Sequence, residues 1–297
     1  MKKILILGAS GMLGYSIFNY LTNSREYCVY GTVRDQKTRS ILQQRTGSNQ
    51  IALVDLDDQN MLEQALRDLC PDIIINCIGV IKQSSGLNNT SNVIRVNSLF
   101  PHIVAELATT IDAQLIHFST DCVYDGISGN YHENDLPSTN DLYGRSKLLG
   151  EVTYKNHLTI RTSIIGHGIN RNSSLVDWFL SQTGNINGYR KAFFTGMPTV
   201  SVARVLSKYI FGSDLTGLIH LGGPLIDKHT LLLMVGEIYQ SELKIKPSDT
   251  VVIDRSLNFQ KLMTATGYVP ATWPEMLEDM HKEFMTYYYS SIRDNHI

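Results

Sequence analysis

The sequence predicts an α/β fold, a doubly wound parallel sheet with a small C-terminal α/β substrate lobe. Three observations predict it. Short β-branched runs alternate with amphipathic stretches through the first two-thirds of the chain, the rhythm of parallel strands joined by right-handed helical crossovers. Runs such as IIIN at 73–76 are apolar at successive positions, as strands covered on both faces are. A glycine-spaced turn, GASGMLG at 8–14, follows the first run directly and opens a helix. Together these read as a Rossmann-like architecture.

In order along the chain, residues 4–7, 28–33, 51–54, 73–78, 115–119 and 158–165 read as strands. Residues 59–69, 93–110 and 142–154 read as the helices between them. After Gly166 the rhythm loosens into the Asn- and Ser-rich GHGINRNSS, and the regular sheet is expected to end there. A helix at 175–182, FFTGMPT at 193–199, helices at 202–211 and 230–239, an extended VVIDRSL at 251–257 and a terminal helix from Pro274 towards 292 follow. The expected division is a nucleotide-binding domain over 1–166, to which 192–222 returns, and a lobe made of 167–191 and 223–297.

A chain of 297 residues with 43% hydrophobic content can fill such a core. The net charge of -2, with 26 Lys and Arg against 28 Asp and Glu spread along the chain, argues against nucleic acid as a partner. No apolar run reaches the roughly 18–20 residues that cross a bilayer, so no membrane partner and a cytoplasmic location are expected. Cys28, Cys70, Cys77 and Cys122 form no CxxC pair, which favours reduced thiols over disulfides or a metal site.

The glycine turn carries the first chemistry. Gly8, Gly11 and Gly14 allow a tight turn and close backbone approach to a pyrophosphate, which the N–H groups of Ser10, Met12 and Leu13 at the helix start can bind. The second strand ends in Thr32, Val33 and Arg34 rather than in the carboxylate that binds a free ribose 2′-hydroxyl. Arg34 therefore points to a 2′-phosphate and to NADPH, with NADH the second choice. Asp55 and Leu56 are placed to flank the adenine, and Asn76, Cys77, Ile78 and Gly79 to line the middle of the dinucleotide, because ligands of open α/β sheets lie beyond the carboxyl ends of the strands. Ser163, with the backbone to 166, is expected at the nicotinamide.

The second signal is YGRSK at 143–147. Four residues is about one helical turn, so Tyr143 and Lys147 share a face. A lysine ammonium beside a phenol favours the phenolate, so that the phenol exchanges protons nearer neutrality than its usual value near ~10. At the end of the fifth strand, Thr120, or as second choice Ser119, offers a hydroxyl to a substrate oxygen that gains negative charge on hydride transfer. Asn97, inside the long helix, is a candidate to hold a water behind Lys147.

GASGMLG at 8–14, STDCVYDG at 119–126 and DLYGRSKLLGE at 141–151 resemble the extended short-chain dehydrogenases, and within them the dTDP-4-dehydrorhamnose reductase family. LTIRTS at 158–163, FTGMPT at 194–199 and IDRSL at 253–257 extend the likeness over nearly the whole chain. The resemblance implies a Thr120, Tyr143 and Lys147 set that reduces the 4-keto group of a nucleotide-activated 6-deoxysugar with NADPH. The substrate would be dTDP-4-dehydrorhamnose or a UDP-linked N-acetylated ketosugar for a surface polysaccharide, and the assembly a homodimer. Asp121, Cys122, Val123, Tyr124 and Arg255 are the substrate-side candidates, with Asn170, Arg190 and Thr195 as further lobe residues. Cys122 also resembles the cysteine of GDP-fucose synthase, which makes an epimerase-reductase one alternative; the regulatory subunit of methionine adenosyltransferase, a binding partner built on the same plan, is the other.

Overall fold

The computed structural model describes residues 1–55, 58–81, 89–169 and 174–288. Leu56, Asn170 and the end of the terminal helix beyond 288 lie outside the described residues. The chain begins with β1 (Lys3–Leu7), α1 (Met12–Ser24), β2 (Cys28–Val33), α2 (Gln36–Thr46), β3 (Ile51–Leu53), α3 (Gln59–Leu69) and β4 (Ile73–Asn76). Both α2 and α3 start where an aspartate can cap them: Asp35 accepts from the Thr38 N–H, and Asp58 from those of Asn60 and Met61. Then come α4 (Thr90–Ile94), a π-helical turn at Arg95–Leu99, α5 (Phe100–Thr110), β5 (Gln114–Thr120), α6 (Leu142–Leu149) and β6 (Leu158–Thr162).

The remainder is β7 (Ile164–Ile165), α7 (Leu175–Ser181), β8 (Asn185–Phe194), β9 (Met197–Pro198), α8 (Thr199–Val205) and a second π-helical turn at Leu206–Ile210. After these come β10 (Gly217–His220), β11 (Ile226–Asp227), α9 (Lys228–Ile238), β12 (Lys244–Asp254), α10 (Gln260–Thr266) and α11 (Trp273–Tyr287). Among the described residues no helix is long and apolar enough to cross a membrane.

Seven strands form the main sheet in the order β10-β6-β5-β4-β1-β2-β3. β1 pairs in parallel with β2 through Ile4 and Val29 and with β4 through Ile4 and Ile73, while β4 pairs with β5 through Asn76 and His117. The chain winds outward in opposite directions from β1, so the crevice between β1 and β4 is the switch point at which such sheets bind ligands. Leu5, Leu7, Ile74 and Leu115 are fully buried and pack with Phe100 and Val104 of α5, which is why these strands are apolar throughout.

The sequence expectation needs four corrections. The stretch 93–110 is not one α-helix but is interrupted by the π turn at Arg95–Leu99. The helix expected over 142–154 ends at Leu149 with Gly150 as its C-cap, where a Cβ would overlap the Asn97 carbonyl. The strand expected over 158–165 divides, β7 pairing with β9 in a separate two-stranded ladder. The main sheet does not end at Gly166, since β10 joins it beside β6.

The chain clusters into two compact units. The first holds Met1–Ser119, Asp141–Ile160 and Gly212–Leu218; the second holds Thr120–Asn140, Arg161–Phe211 and Ile219–Ile297. The second unit has its own three-stranded sheet, β11-β8-β12, in which β8 runs parallel to β12 with Ile186 opposite Ile245. α11 starts at a reciprocal cap between Thr272 and Glu275 and buries Trp273, Met276, Leu277, Met280 and Phe284.

The Gly150 contact gives the first prediction. Gly150→Ala forces a methyl against the Asn97 carbonyl and should lower the unfolding free energy by about 1–3 kcal/mol, the usual size of overpacking. Denaturant melts of the two proteins measure the difference, and an unchanged midpoint would refute the packing argument.

Candidate active site

The first unit supplies a dinucleotide cradle and a buried lysine. Gly8 sits at φ 80°, a left-handed conformation that glycine adopts without penalty. A Cβ on Gly14 would overlap the Gly8 carbonyl, so α1 can approach the turn only with glycine at that position. Gly11 caps α1 with no side-chain hydrogen bond, and the first turn carries no acidic residue. The N-terminus of this 13-residue helix therefore presents backbone donors and positive dipole to an anion. Thr32, expected to touch the cofactor, instead holds the turn: its hydroxyl accepts from the Gly8 N–H at 3.2 Å and its carbonyl from the Ala9 N–H at 2.9 Å. Arg34 is 87% exposed and lies 3.6 Å through Nε from Asp35, whose carboxylate also accepts from Thr38 at the start of α2.

α6 is capped by Asp141, which accepts from the Gly144 N–H at 2.7 Å, and it carries Tyr143 and Lys147 one turn apart. Tyr143 is half-buried and Lys147 buried. The Lys147 ammonium donates to the Phe118 carbonyl on β5 at 2.6 Å and lies 3.4 Å from His117 Nε2. Burial depresses its pKa from 10.5 to about 8, against the opposing pull of Glu151 and Cys77. His117 is held far below its ordinary value by burial first and by the Lys147 charge second.

His117 and Ser119 alternate with Phe118 on β5 and so share a face. His117 Nδ1 lies 3.2 Å from the Asn76 side-chain nitrogen, and Asn76 Oδ1 accepts from the Ile78 N–H at 3.1 Å. With that oxygen occupied, the Asn76 amide nitrogen faces Nδ1 as a donor. Ser119 donates to Glu151 Oε1 at 2.6 Å. His117 and Glu151 were not among the sequence candidates, although the period-two spacing of His117 and Ser119 was a signal that could have raised the histidine.

Other expected residues of this unit fall as follows. Cys77, Ile78 and Gly79 follow β4 at the switch point, and a Cβ on Gly79 would lie 3.4 Å from Asn97 Oδ1 and 4.0 Å from Lys147 Nζ. Burial drives the Cys77 thiol pKa well upward, so it stays protonated. Asn97 does not offer its amide to a water behind Lys147: Oδ1 accepts from the Val80 N–H at 2.8 Å, and Nδ2 donates to the Val80 carbonyl at 3.0 Å and to Ser146 Oγ at 3.1 Å. Asp55 is exposed after β3.

The second unit carries the hydroxyl. The Thr120 Oγ1 donates to Asp121 Oδ1 at 3.2 Å and accepts from the Cys122 N–H at 3.1 Å. Ser119 is bound at 2.6 Å to a carboxylate, so the longer Thr120 bond is the one more readily exchanged for a substrate oxygen. Arg255 donates through Nε to the Tyr124 carbonyl at 3.1 Å and through Nη1 to Cys122 Sγ at 3.5 Å. Burial raises the Asp121 carboxyl pKa, opposed by the charges of Arg255 and Lys228.

Val123 and Tyr124, expected on the substrate side, are core residues with no exposed surface. The Tyr124 hydroxyl donates to the His132 carbonyl and accepts from Arg161, and its ring stacks 4.1 Å from that of Tyr131. Arg190 forms a bidentate pair with Asp249 at 2.9 and 2.8 Å. Thr195 is buried and accepts from the Leu257 N–H. Ser163 is half-buried, and its carbonyl accepts from the Met197 N–H at 3.0 Å.

The chain is 29% identical over 150 residues to methionine adenosyltransferase 2 subunit beta of Bos taurus, covering 50% of this chain and 42% of that protein. It is 28% identical over 174 residues to the spore coat polysaccharide biosynthesis protein SpsK of Bacillus subtilis, covering 57% and 55%. The chain thus spans about half the length of these relatives. The crystal structure of dTDP-4-dehydrorhamnose reductase from Bacillus anthracis in complex with NADP superposes with a TM-score of 0.78 at 20% identity, covering 95% of this chain and 99% of the other. That likeness shows a shared fold. The RmlD substrate binding domain family matches residues 1–212, more than two-thirds of the sequence, and the chain belongs to that family.

Proposed function

We propose that the protein reduces the 4-keto group of a nucleotide-activated 6-deoxysugar with NADPH, in the cytoplasm, for synthesis of a surface polysaccharide. The observation that carries the reading is the buried Lys147 ammonium, fixed by the Phe118 carbonyl one helical turn from Tyr143. The family and the SpsK relative support the substrate class.

The cradle residues fit the dinucleotide: Gly8, Ser10, Gly11, Met12, Leu13 and Gly14 would hold its pyrophosphate, Arg34 its 2′-phosphate and Lys147 its nicotinamide ribose. When bound, NADPH supplies the hydride. Tyr143 donates its phenolic proton to the ketone oxygen, and the Lys147 charge favours the phenolate left behind. In the second unit Thr120 supplies a hydroxyl that donates to a substrate oxygen gaining negative charge, an interaction worth roughly 2.7–4 kcal/mol in comparable sites.

Simple reduction is favoured over an epimerase-reductase by the environment of His167. Its Nδ1 is bonded to Asp177 at 2.6 Å and its Nε2 to the Tyr239 hydroxyl at 2.7 Å, so it is not available as an acid partner for Cys122. The likeness to a methionine adenosyltransferase subunit favours a second reading, in which the chain binds the dinucleotide but acts as a regulatory partner.

NADPH oxidation with a panel of dTDP-, UDP- and GDP-linked 4-ketosugars tests the proposal. Tyr143→Phe should reduce turnover by roughly 10²- to 10⁴-fold while NADP affinity changes little. Turnover within about threefold of wild type, or none with any ketosugar, would move the regulatory reading to the front.

Arg34→Asp should weaken NADPH by about ten- to hundredfold and NADH far less, as loss of a charge-assisted pair to phosphate requires. Fluorescence titration of both cofactors checks this, and equal weakening would remove Arg34 from the site.

Lys147 also makes stability depend on pH. Its folded pKa of about 8 lies below the ordinary 10.5, so the unfavourable burial of its charge is fully present below about pH 8 and is relieved as pH rises through the window to 10.5. Relative to Lys147→Met, the wild type should gain on the order of 2–3 kcal/mol of stability across that window. Parallel denaturant melts at pH 7.5 and 10.5 measure the gain, and parallel curves would contradict it.

A further inference from the structure

The second unit holds a lysine that the reaction above does not use. Lys228 is the first residue of α9, after the Asp227 cap. Its Nζ lies 3.3 Å from the centroid of the Phe194 ring. Among the described residues it makes no hydrogen bond, and the charged or ionisable groups acting on it are Asp121 and Cys122. Asp227, its sequence neighbour, is committed to the Thr230 N–H and hydroxyl at 2.9 and 2.6 Å. Burial depresses the ammonium pKa to about 8.

Other cations of the unit are differently placed. Arg190 is paired with Asp249, Arg204 with Asp279 at 2.7 Å, and Arg161 donates to Tyr124. Asp121 is buried and feels the charges of two partly buried cations, Arg255 and Lys228. A cation–π contact contributes only about 0.5–2 kcal/mol, less than the several kcal/mol by which burial penalises an ion. Among the described residues the Lys228 N–H groups directed off the ring meet no acceptor, and an anionic oxygen would supply one.

We propose that Lys228, backed by Arg255, is the anion-binding residue of this unit and takes a negatively charged oxygen of the substrate beside Asp121. The inference rests on the nucleotide-sugar reading and adds to it a residue and a ligand chemistry. Such a substrate carries that oxygen on its diphosphate bridge, since C6 of a 6-deoxysugar is a methyl group.

Calorimetric titration of the NADP-loaded protein with UDP, dTDP, UDP-glucose and UDP-glucuronate tests it without turnover. Lys228→Met keeps the stem on Phe194 but loses the charge, and should bind the occupying probe about ten- to hundredfold more weakly. Lys228→Arg should retain most of the affinity, and NADP affinity should be unchanged in both. A similar loss for UDP, UDP-glucose and UDP-glucuronate identifies the diphosphate as the anion; a loss confined to UDP-glucuronate overturns the assignment to the diphosphate. Affinities equal to wild type for all four probes overturn the assignment of Lys228. A wild type that binds none of them overturns the nucleotide-sugar reading itself. Should Lys228→Met not fold, acylation of wild-type Lys228 by acetic anhydride gives the same answer: a saturating bound probe should protect it, and an unchanged labelling rate overturns the proposal.

Discussion

The Lys147 ammonium, held at 2.6 Å by the Phe118 carbonyl, constrains its whole neighbourhood in the first unit. A charge brought beneath a parallel sheet needs an acceptor, and the carbonyls of a strand are ordinarily consumed by the ladder. Phe118 lies beyond the Asn76–His117 pair at which the β4–β5 ladder ends. β5 thus outruns its neighbour by a few residues, and the lysine uses a carbonyl of that overhang. His117 and Glu151 then set the polarity around the ammonium, one neutral and facing it, the other a carboxylate tied down by Ser119.

Much of the first unit was legible because its strands are buried on both faces and its turn must be glycine. β1, β2 and β4 are apolar since helices cover both sides, and the positive φ of Gly8 and the close approach at Gly14 leave no other residue type. The roles of single polar residues were less legible. Thr32 and Asn97 stand where a ligand contact would be expected, yet their hydrogen-bonding atoms serve the chain's own backbone. A sequence shows which groups can donate and accept, whereas their partners are fixed by tertiary approach.

The second unit was harder to read for a different reason. β8 and β12 alternate exposed and partly buried residues, with Asn, Lys, Arg and Asp on their open face and a register shift between Ser248 and Val252. Such strands lack the apolar run that marks β4, and their polar face looks like loop. Tyr124 failed in the opposite sense: a tyrosine near the motif invites a ligand role, but its hydroxyl is satisfied by Arg161 and His132 in the interior.

The π turn at Arg95–Leu99 has a consequence for which changes of chain length the first unit tolerates. A π turn is an α-helix carrying one surplus residue, so the faces before and after it are out of phase. That phase slip lets two consecutive residues point the same way: Asn97 clamps the backbone of Val80 and reaches Ser146, while Ser98 donates to the Ser146 carbonyl at 2.8 Å. Removing any one residue of the five would restore ideal helical geometry, improving the local backbone bonding. It would also swing one of the two side chains roughly 100° around the axis, detaching it from α6 and so from the helix that carries Tyr143 and Lys147. Local regularity of this turn and its hold on α6 are therefore opposed, and the chain keeps the hold at the expense of the regularity.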